Sequence, residues 1–533
     1  MNLQQLIIKE LIKGQIANPK KLDSFKRRVA KKYKISCPSN VQLLKAYHDL
    51  LKDKRVKENK FLEYLLRVRK IRSLSGIVVV SVLTKPYPCP GKCIYCPSQK
   101  GIPKSYLDGE PAVMRAILNK FDPYLQVQNR ILALEKTGHP TDKIELRIIG
   151  GTWSYYPKNY QTWFVKECFE ACNQFGRDRI SAERSNLQKS QKLNEKAKHR
   201  MVGLTIETRP DFIDEKEIKR LRKLGVTRVE LGVQTIYDDI LKLNRRGHKV
   251  KATIKATKLL KDAGFKICYQ MMPNLVGSDL KRDKKMFEEL FKNPNFQPDL
   301  LKIYPLALLK EAPLFKQWKE KKYQPYNKKQ LINLVKAIKK IIPYYVRIQR
   351  ITRDIPSNKI VEGGAKVSNL RQVLAEISRR EIWKCRCIRC REVRENYNPK
   401  EKPELFRQDY EASEGKEIFL SYENKKREKL YSLLRLRIPS QSVEKGSHYF
   451  MPVLRNAAII REVHTYGQLV PLSQKEVAPQ HWGLGKKLIK EAEKIARKEF
   501  GFKKMVVISG VGVRGYYRKL DYRLKDTYMI KKI

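Results

Sequence analysis

Acidic residues are scarce in this chain. Against 114 lysines and arginines stand 55 aspartates and glutamates, a formal charge of +59 spread over 533 residues rather than confined to a tail. A field of that sign attracts polyanions through faster encounter and counterion release, so nucleic acid is the leading expected partner and an acidic membrane the second. A lysine-rich proteome explains many lysines but not so large an excess of one sign. Long hydrophobic runs are missing as well. No stretch approaches the roughly 18 apolar residues of a membrane span, and the polar start MNLQQLIIKELIKG lacks a signal-peptide plan. A soluble protein of a reducing, cytoplasmic compartment is expected. Disulfides do not explain the ten cysteines, because six of them fall in two tight triplets, a pattern that fits metal binding better.

At this length two or three domains are expected. Residues 1–75 read as a basic helical region: LQQLIIKELIKG and VQLLKAYHDLLKD repeat apolar positions at helical spacing. The joining segment PKKLDSFKRRVAKKYK offers Lys20, Lys21, Lys26, Arg27, Arg28, Lys31 and Lys32 as a nucleic-acid arm. Across 76–345, apolar strands beginning near Gly76, Lys143, Val202, Thr227, Phe265 and Leu300 alternate with amphipathic helices such as DEKEIKRLRKLG. That order predicts an α/β fold with a parallel sheet and helices outside, and about six units make a partial, TIM-like barrel. Residues 346–404 read as a charged linker, and 405–533 as a separate α+β domain with antiparallel-looking strands, one long helix and the strand MVVISGV.

Chemistry in such barrels gathers at the C-terminal strand ends. There, in KPYPCPGKCIYCPSQKG, stand Cys89, Cys93 and Cys96, soft ligands turned inward by prolines and a glycine. Three thiolates leave one iron of a 4Fe-4S cluster open to S-adenosylmethionine, and the spacing resembles the radical-SAM signature. Gly150, Gly151, Thr152, Glu207, Arg209 and Gln234 fall on successive strand ends beside it. The second triplet, Cys385, Cys387 and Cys390, lies away from any strand end and reads as structural zinc, with Cys268 or a distant histidine as fourth ligand. In the last domain Gln480, Gly483, Leu484, Gly485 and Lys486 open a helix after a strand, where bare N–H groups and the positive helix end cradle a pyrophosphate. That order resembles the acetyl-CoA site of GNAT acetyltransferases. The likeness implies pantetheine contacts from the backbone of Glu462, Val463, His464 and Thr465, and a tyrosine near the CoA sulfur, Tyr517 with Tyr516 beside it.

A radical-SAM barrel followed by a GNAT domain resembles the catalytic-subunit family of Elongator and its archaeal stand-alone relatives. The likeness runs from about Gly76 to the end, through EPAVMRAILNKFDPYLQ, LTIETRPD, LGVQT, NRRGHKVKATIKA and VISGVGVRGYYRKL. It implies modification of the wobble uridine of tRNA with acetyl-CoA and a SAM-derived radical to give 5-carboxymethyluridine. It casts Gly150, Gly151 and Thr152 at the methionyl group, Glu207, Arg209 and Gln234 around the rest of SAM, and Lys143 at acetyl-CoA. The anticodon region of tRNA is then the partner, accessory subunits are conceivable, and no membrane is involved. Asn274 and Asp521 stand where the family commonly has glycine. A protein lysine acetyltransferase built on a non-catalytic barrel is the alternative of a different class.

Overall fold

The computed structural model describes residues 2–14, 16, 18–176, 186–394, 401–439, 450–467 and 482–533. Alternation within the strands sets the first sheet. In β1 (Val78–Leu83), β2 (Lys143–Ile149), β3 (Arg200–Thr208), β4 (Arg228–Gln234), β5 (Lys266–Met271), β6 (Leu300–Ile303) and β7 (Arg347–Ile351), neighbours pair in sequence order. Every pairing is parallel. The expected six units are therefore one short. β7 lies beyond residue 345, where the charged letters of RIQRI disguise a strand.

One face of each strand is apolar. On β2, Ile144, Leu146 and Ile148 are buried beneath the surrounding helices, while Lys143, Glu145 and Arg147 point into the barrel lumen. The outer helices begin with side-chain caps, Asp122 for Pro123–Glu135, Asp214 for Glu215–Leu224 and Asn327 for Lys328–Ile341, each contributing about 1 kcal/mol.

The N-terminal region is a four-helix unit, Leu3–Lys13, Pro19–Lys32, Asn40–Lys52 and Lys60–Leu66, with its own core around Ile8, Phe25, Leu43, Tyr47 and Leu65. The basic joining segment is one of these helices. It buries Leu22, Phe25 and Val29 and leaves Lys20, Lys21, Arg27, Arg28, Lys31 and Lys32 exposed; Lys26 bonds Asn40 at 3.0 Å and Lys32 pairs with Glu10 at 2.7 Å.

The C-terminal sheet holds β8 (Glu404–Ala412), β9 (Gly415–Glu423), β10 (Leu430–Ile438), β11 (Ala458–Thr465), β12 (Lys504–Val507), β13 (Arg523–Lys525) and β14 (Tyr528–Lys532). Its order is β13-β14-β12-β11-β10-β9-β8, antiparallel except for β11 with β12. Helix Leu484–Lys498 covers one face through Leu488, Ile489 and Ile495. The other face, with Ile459, Val506 and Ile508, is continuous with the barrel core. The sheet docks at the N-terminal ends of the barrel strands: a methyl at Gly510 or Gly512 would run into the β3 backbone around Val202 and Met201. Among the described residues no helix is long and apolar enough to cross a membrane.

Candidate active site

The loop after β1 carries the three cysteines to the C-terminal mouth of the barrel. A Cβ built on Gly91 would stand 3.5 Å from Cys93 Sγ, 3.7 Å from Cys89 Sγ and 2.6 Å from Arg209 Nη1, so glycine is what lets the loop close over that guanidinium. Thr152 Oγ1 lies 3.7 Å from Cys89 Sγ, and Arg246 Nη1 lies 3.6 Å from Cys93 Sγ. Burial and the neighbouring sulfurs push the Cys96 thiol up to about 11, so charge on this sulfur calls for a compensating cation.

Around the loop, polar groups lack a hydrogen-bond partner among the described residues. Arg209 spends its Nε and Nη2 on Asp211 at 2.9 and 2.7 Å, while its buried Nη1 is unsatisfied. The buried hydroxyl of Tyr95 is likewise unsatisfied, and His248, whose Nδ1–H donates to the Lys249 carbonyl at 3.3 Å, leaves its buried Nε2 as an acceptor without a partner among the described residues. Gly150, with φ +122°, sits so close to Thr84 that any side chain would collide, and Gly151 has φ +34°. These orphaned donors and bare backbone suit a polar ligand such as S-adenosylmethionine beside a cluster.

The two cysteine triplets differ in spread. Among the described residues, Cys385, Cys387 and Cys390 have sulfurs all within 4.8 Å of one another, whereas Cys89, Cys93 and Cys96 do not form such a group. A single zinc with Zn–S of about 2.3 Å needs sulfurs roughly 3.8 Å apart, so the tight triplet suits one ion and the wide one a polynuclear cluster. Neither suggested fourth ligand joins the tight triplet among the described residues. Cys268 is buried on β5, its thiol pushed up by burial and by Glu230, and Lys339 Nζ stands 3.5 Å from Cys390. Hydrogen bonds from Cys385 and Cys387, with Lys339 nearby, push the Cys390 thiol down.

Inside the lumen an ionic column replaces the apolar layers of an ordinary barrel. Glu230, fully buried, pairs with Lys302 and with Arg147 at 3.1 Å; Glu207 takes Lys302 at 2.9 Å, Arg147 at 3.3 Å and the Tyr106 hydroxyl at 3.1 Å. Glu145 pairs with Arg228 below them. The carboxylate of Glu207 is thus held by protein groups at the top of this column, while Gln234, with φ +72°, ends β4 near Arg246 around Gly232. Arg147, Glu230, Arg246 and Lys302 belong to no motif that the sequence displays. Their signal was a charge inside an otherwise apolar strand, as in LLKIYPL and TRVELGVQT, and for Arg246 a place in NRRGHKV.

At the opposite mouth lies the second candidate site. β11 pairs with β12 only from Ala458 to Ile460, after which the strands part and, among the described residues, no strand pairs with Arg461–Thr465 on that side. Gly485, in the first turn of its helix, faces this opening: a Cβ there would be 3.4 Å from both Thr465 Oγ1 and Tyr516 Oη and 3.7 Å from Val463. Leu484 and Lys486 share that turn behind Gly483, whose φ is +67°; Gln480 lies outside the described residues. Tyr517 is buried against Tyr516 and Tyr522 at 5.3 and 5.9 Å, and burial raises its hydroxyl, keeping it a neutral proton donor. The alternate side chains of β11 turn to the barrel. Glu462 bonds Arg435 at 2.9 Å and Lys266 at 3.2 Å, and His464 Nε2 donates to the Ser75 carbonyl at 2.8 Å. Lys143, half-buried at the start of β2, is at the same mouth, its amine lowered by burial.

A partial barrel with three cysteines at its C-terminal mouth defines a radical-SAM protein, and residues 87–288 match the Radical SAM superfamily while 298–380 match the Radical SAM C-terminal domain. That domain implies S-adenosylmethionine and a 4Fe-4S cluster. The chain belongs to the family of the tRNA uridine(34) acetyltransferases and Elongator complex protein 3. It is 45% identical to the tRNA uridine(34) acetyltransferase of Methanocaldococcus infernus, over 99% of this chain and 98% of that protein. It is 37% identical to Elongator complex protein 3 of Homo sapiens, over 99% and 96% respectively. Among solved structures, the archaeal Methanocaldococcus infernus Elp3 with an N-terminal deletion (1–46) matches with a TM-score of 0.73 at 44% identity, covering 86% of this chain and all of that one.

Proposed function

We propose that this protein modifies the wobble uridine of tRNA, joining the methyl carbon of acetyl-CoA to carbon 5 of the base to give 5-carboxymethyluridine. The observation that carries the reading is the assembly of two mouths on one barrel: a cysteine loop at one end and an open β11–β12 cleft at the other, fixed by a shared core. Relatives along the whole chain named for tRNA uridine(34) supply the substrate class.

Cys89, Cys93 and Cys96 would hold the cluster. Arg209 Nη1 would take the carboxylate of S-adenosylmethionine, with Gly150, Gly151, Thr152 and Gln234 around it and Glu207 beneath. When bound, the pair supplies a 5'-deoxyadenosyl radical able to take hydrogen from a methyl group. At the other mouth the backbone of Glu462–Thr465 lines the pantetheine arm, the turn from Gly483 to Lys486 receives the pyrophosphate, and Lys143 meets the acyl end. Water takes the place of sulfur on the acyl carbon to leave the carboxylate, and Tyr517, neutral because buried, donates a proton to the departing CoA sulfur. The two mouths are about 20 Å apart along a strand of seven residues, and the paired column of Glu145, Arg147, Glu207, Glu230 and Lys302 fills the lumen between them, so the acetyl arm has to travel from one mouth to the other to meet the base. The Cys385, Cys387 and Cys390 triplet would hold zinc, and Lys339 beside Cys390 ties the linker to helix Lys328–Ile341.

Nucleoside mass spectrometry after anaerobic reconstitution tests the reading. Carboxymethyluridine that depends on SAM, acetyl-CoA and tRNA together is expected. Acetylated lysine in a protein substrate, formed at an unchanged rate without tRNA and with no modified nucleoside, would overturn it.

A further inference from the structure

Most barrel arginines are neutralised: Arg147, Arg209, Arg228, Arg347 and Arg353 each touch a carboxylate. Arg72, Arg115 and Arg130 do not. Among the described residues no carboxylate oxygen lies within 4.0 Å of any of them, and none makes a side-chain hydrogen bond, although all three are half-buried. They come from three elements. Arg72 ends the short turn Lys70–Arg72 before β1, Arg115 is on helix Pro111–Leu118, and Arg130 is on helix Pro123–Glu135. Both helices pack on β1, and Asn129 Nδ2 bonds Asn119 Oδ1 at 2.5 Å between them. The segment before the turn is pinned to the turn that follows the second helix by Arg67 Nε on the Gly138 carbonyl at 2.6 Å and by Val68 N on the Thr137 carbonyl at 3.1 Å.

Gathering like charges in a partly desolvated place costs stability unless an anion joins them. Burial lowers all three guanidinium groups, Arg130 to about 10, and repulsion adds to it, from Arg115 and Arg72 at Arg130, from Arg72 at Arg115 and from Arg69 at Arg72. In the chain, Arg72 follows the basic helical unit that ends at Leu66, and Arg115 lies on the helix that the loop from the cysteines enters at Pro111. Guanidinium forks of this kind match phosphate oxygens rather than a diffuse surface charge.

We infer that Arg72, Arg115 and Arg130 form a phosphate-binding site for the RNA backbone, a fixed point on the path from the N-terminal helices to the cysteine mouth. The inference rests on the tRNA reading above and adds a site to it. Its test is tRNA binding by fluorescence anisotropy as a function of KCl. In the full chain, the triple change Arg72→Gln, Arg115→Gln and Arg130→Gln should weaken binding at 150 mM salt by about 10- to 100-fold and reduce the slope of log K against log salt by about 2. A control, Lys281→Gln, Lys285→Gln and Lys292→Gln, removes the same charge from exposed positions of helix Leu280–Lys292 and should change the slope by less than half as much. Arg130→Lys, which keeps the charge but not the fork, should retain the slope while losing part of the affinity. Equal slopes for the arginine triple and the lysine control would overturn the site. So would wild-type binding by a triple variant whose thermal midpoint is unchanged; should the triple unfold, single glutamines, each expected to lower the slope by about 0.7, decide in its place. Absence of modified uridine from the wild type would instead count against the tRNA reading, leaving the slope comparison to stand on its own.

Discussion

Changing Cys93 to serine should remove modified uridine from the product by at least 1,000-fold while leaving the tRNA dissociation constant within about twofold. Cys93 is buried at the centre of the loop, with Gly91 and Arg246 fitted around its sulfur, so no other thiol is placed to replace it. Serine is a poor ligand for iron, and the cluster should fail to assemble: iron and sulfide per chain fall and the visible charge-transfer band is lost. The basic surfaces lie elsewhere, on helix Pro19–Lys32 and the outer barrel, so the binding curve is expected to keep its salt slope. Anisotropy and nucleoside analysis on the same preparation check both halves. Modified uridine at wild-type levels from this variant would remove the radical from the mechanism.

Asp299→Ala should destabilise the chain by about 3 to 5 kcal/mol, because it strips the shared anion from a buried interdomain cluster. Asp299 Oδ1 meets Arg461 Nη1 at 3.0 Å, and Lys261 and Arg435 approach at 3.8 and 3.7 Å. Glu417 helps, at 2.7 Å from Arg461, and cannot neutralise three cations alone. The pairing also fixes the pH response. Burial alone would raise the Asp299 carboxyl; Arg461, Lys261 and Arg435 outweigh it and hold the group well below the usual carboxylate range. Glu462 behaves alike, burial opposing and Lys266 and Arg435 prevailing, at about 2. A depressed carboxylate contributes stability that is fully present above its unfolded value of about 4 and is lost as pH falls below that value toward the folded one. Denaturant midpoints measured between pH 6 and pH 3 should therefore fall steeply in the wild type and more gently in Asp299→Ala. Parallel curves would show that the cluster is not what joins the two domains.

Local patterns were the legible part of this chain. Cys89, Cys93 and Cys96, the strand-end glycines and the helix turn at Gly483 each announce themselves within a few residues, and the structure puts them at the two mouths. The two departures from family glycines also resolve locally, since Asn274 at φ +69° and Asp521 at φ +67° take the left-handed backbone that glycine favours. Asn274 is further held by its backbone N–H on Asp283 at 2.7 Å and its side-chain oxygen on Tyr326 N at 2.6 Å. What stayed hidden depended on register and distance. Lys302 and Glu230 look like interruptions of apolar strands until the parallel register brings them together across the lumen. Asp299 and Arg461 are 162 residues apart, and nothing in either neighbourhood names the other. The lumen was invisible for the same reason, although it decides whether the two mouths can work on one molecule.

The central claim is that the acetyl methyl carbon becomes the new substituent of the base, and isotopic transfer tests it most directly. With acetyl-CoA carrying three deuteriums on the methyl, one deuterium should appear in 5'-deoxyadenosine and two in the carboxymethyl group of the uridine. Deuterium absent from 5'-deoxyadenosine, or a fully deuterated acetyl group transferred intact to any acceptor, would contradict it.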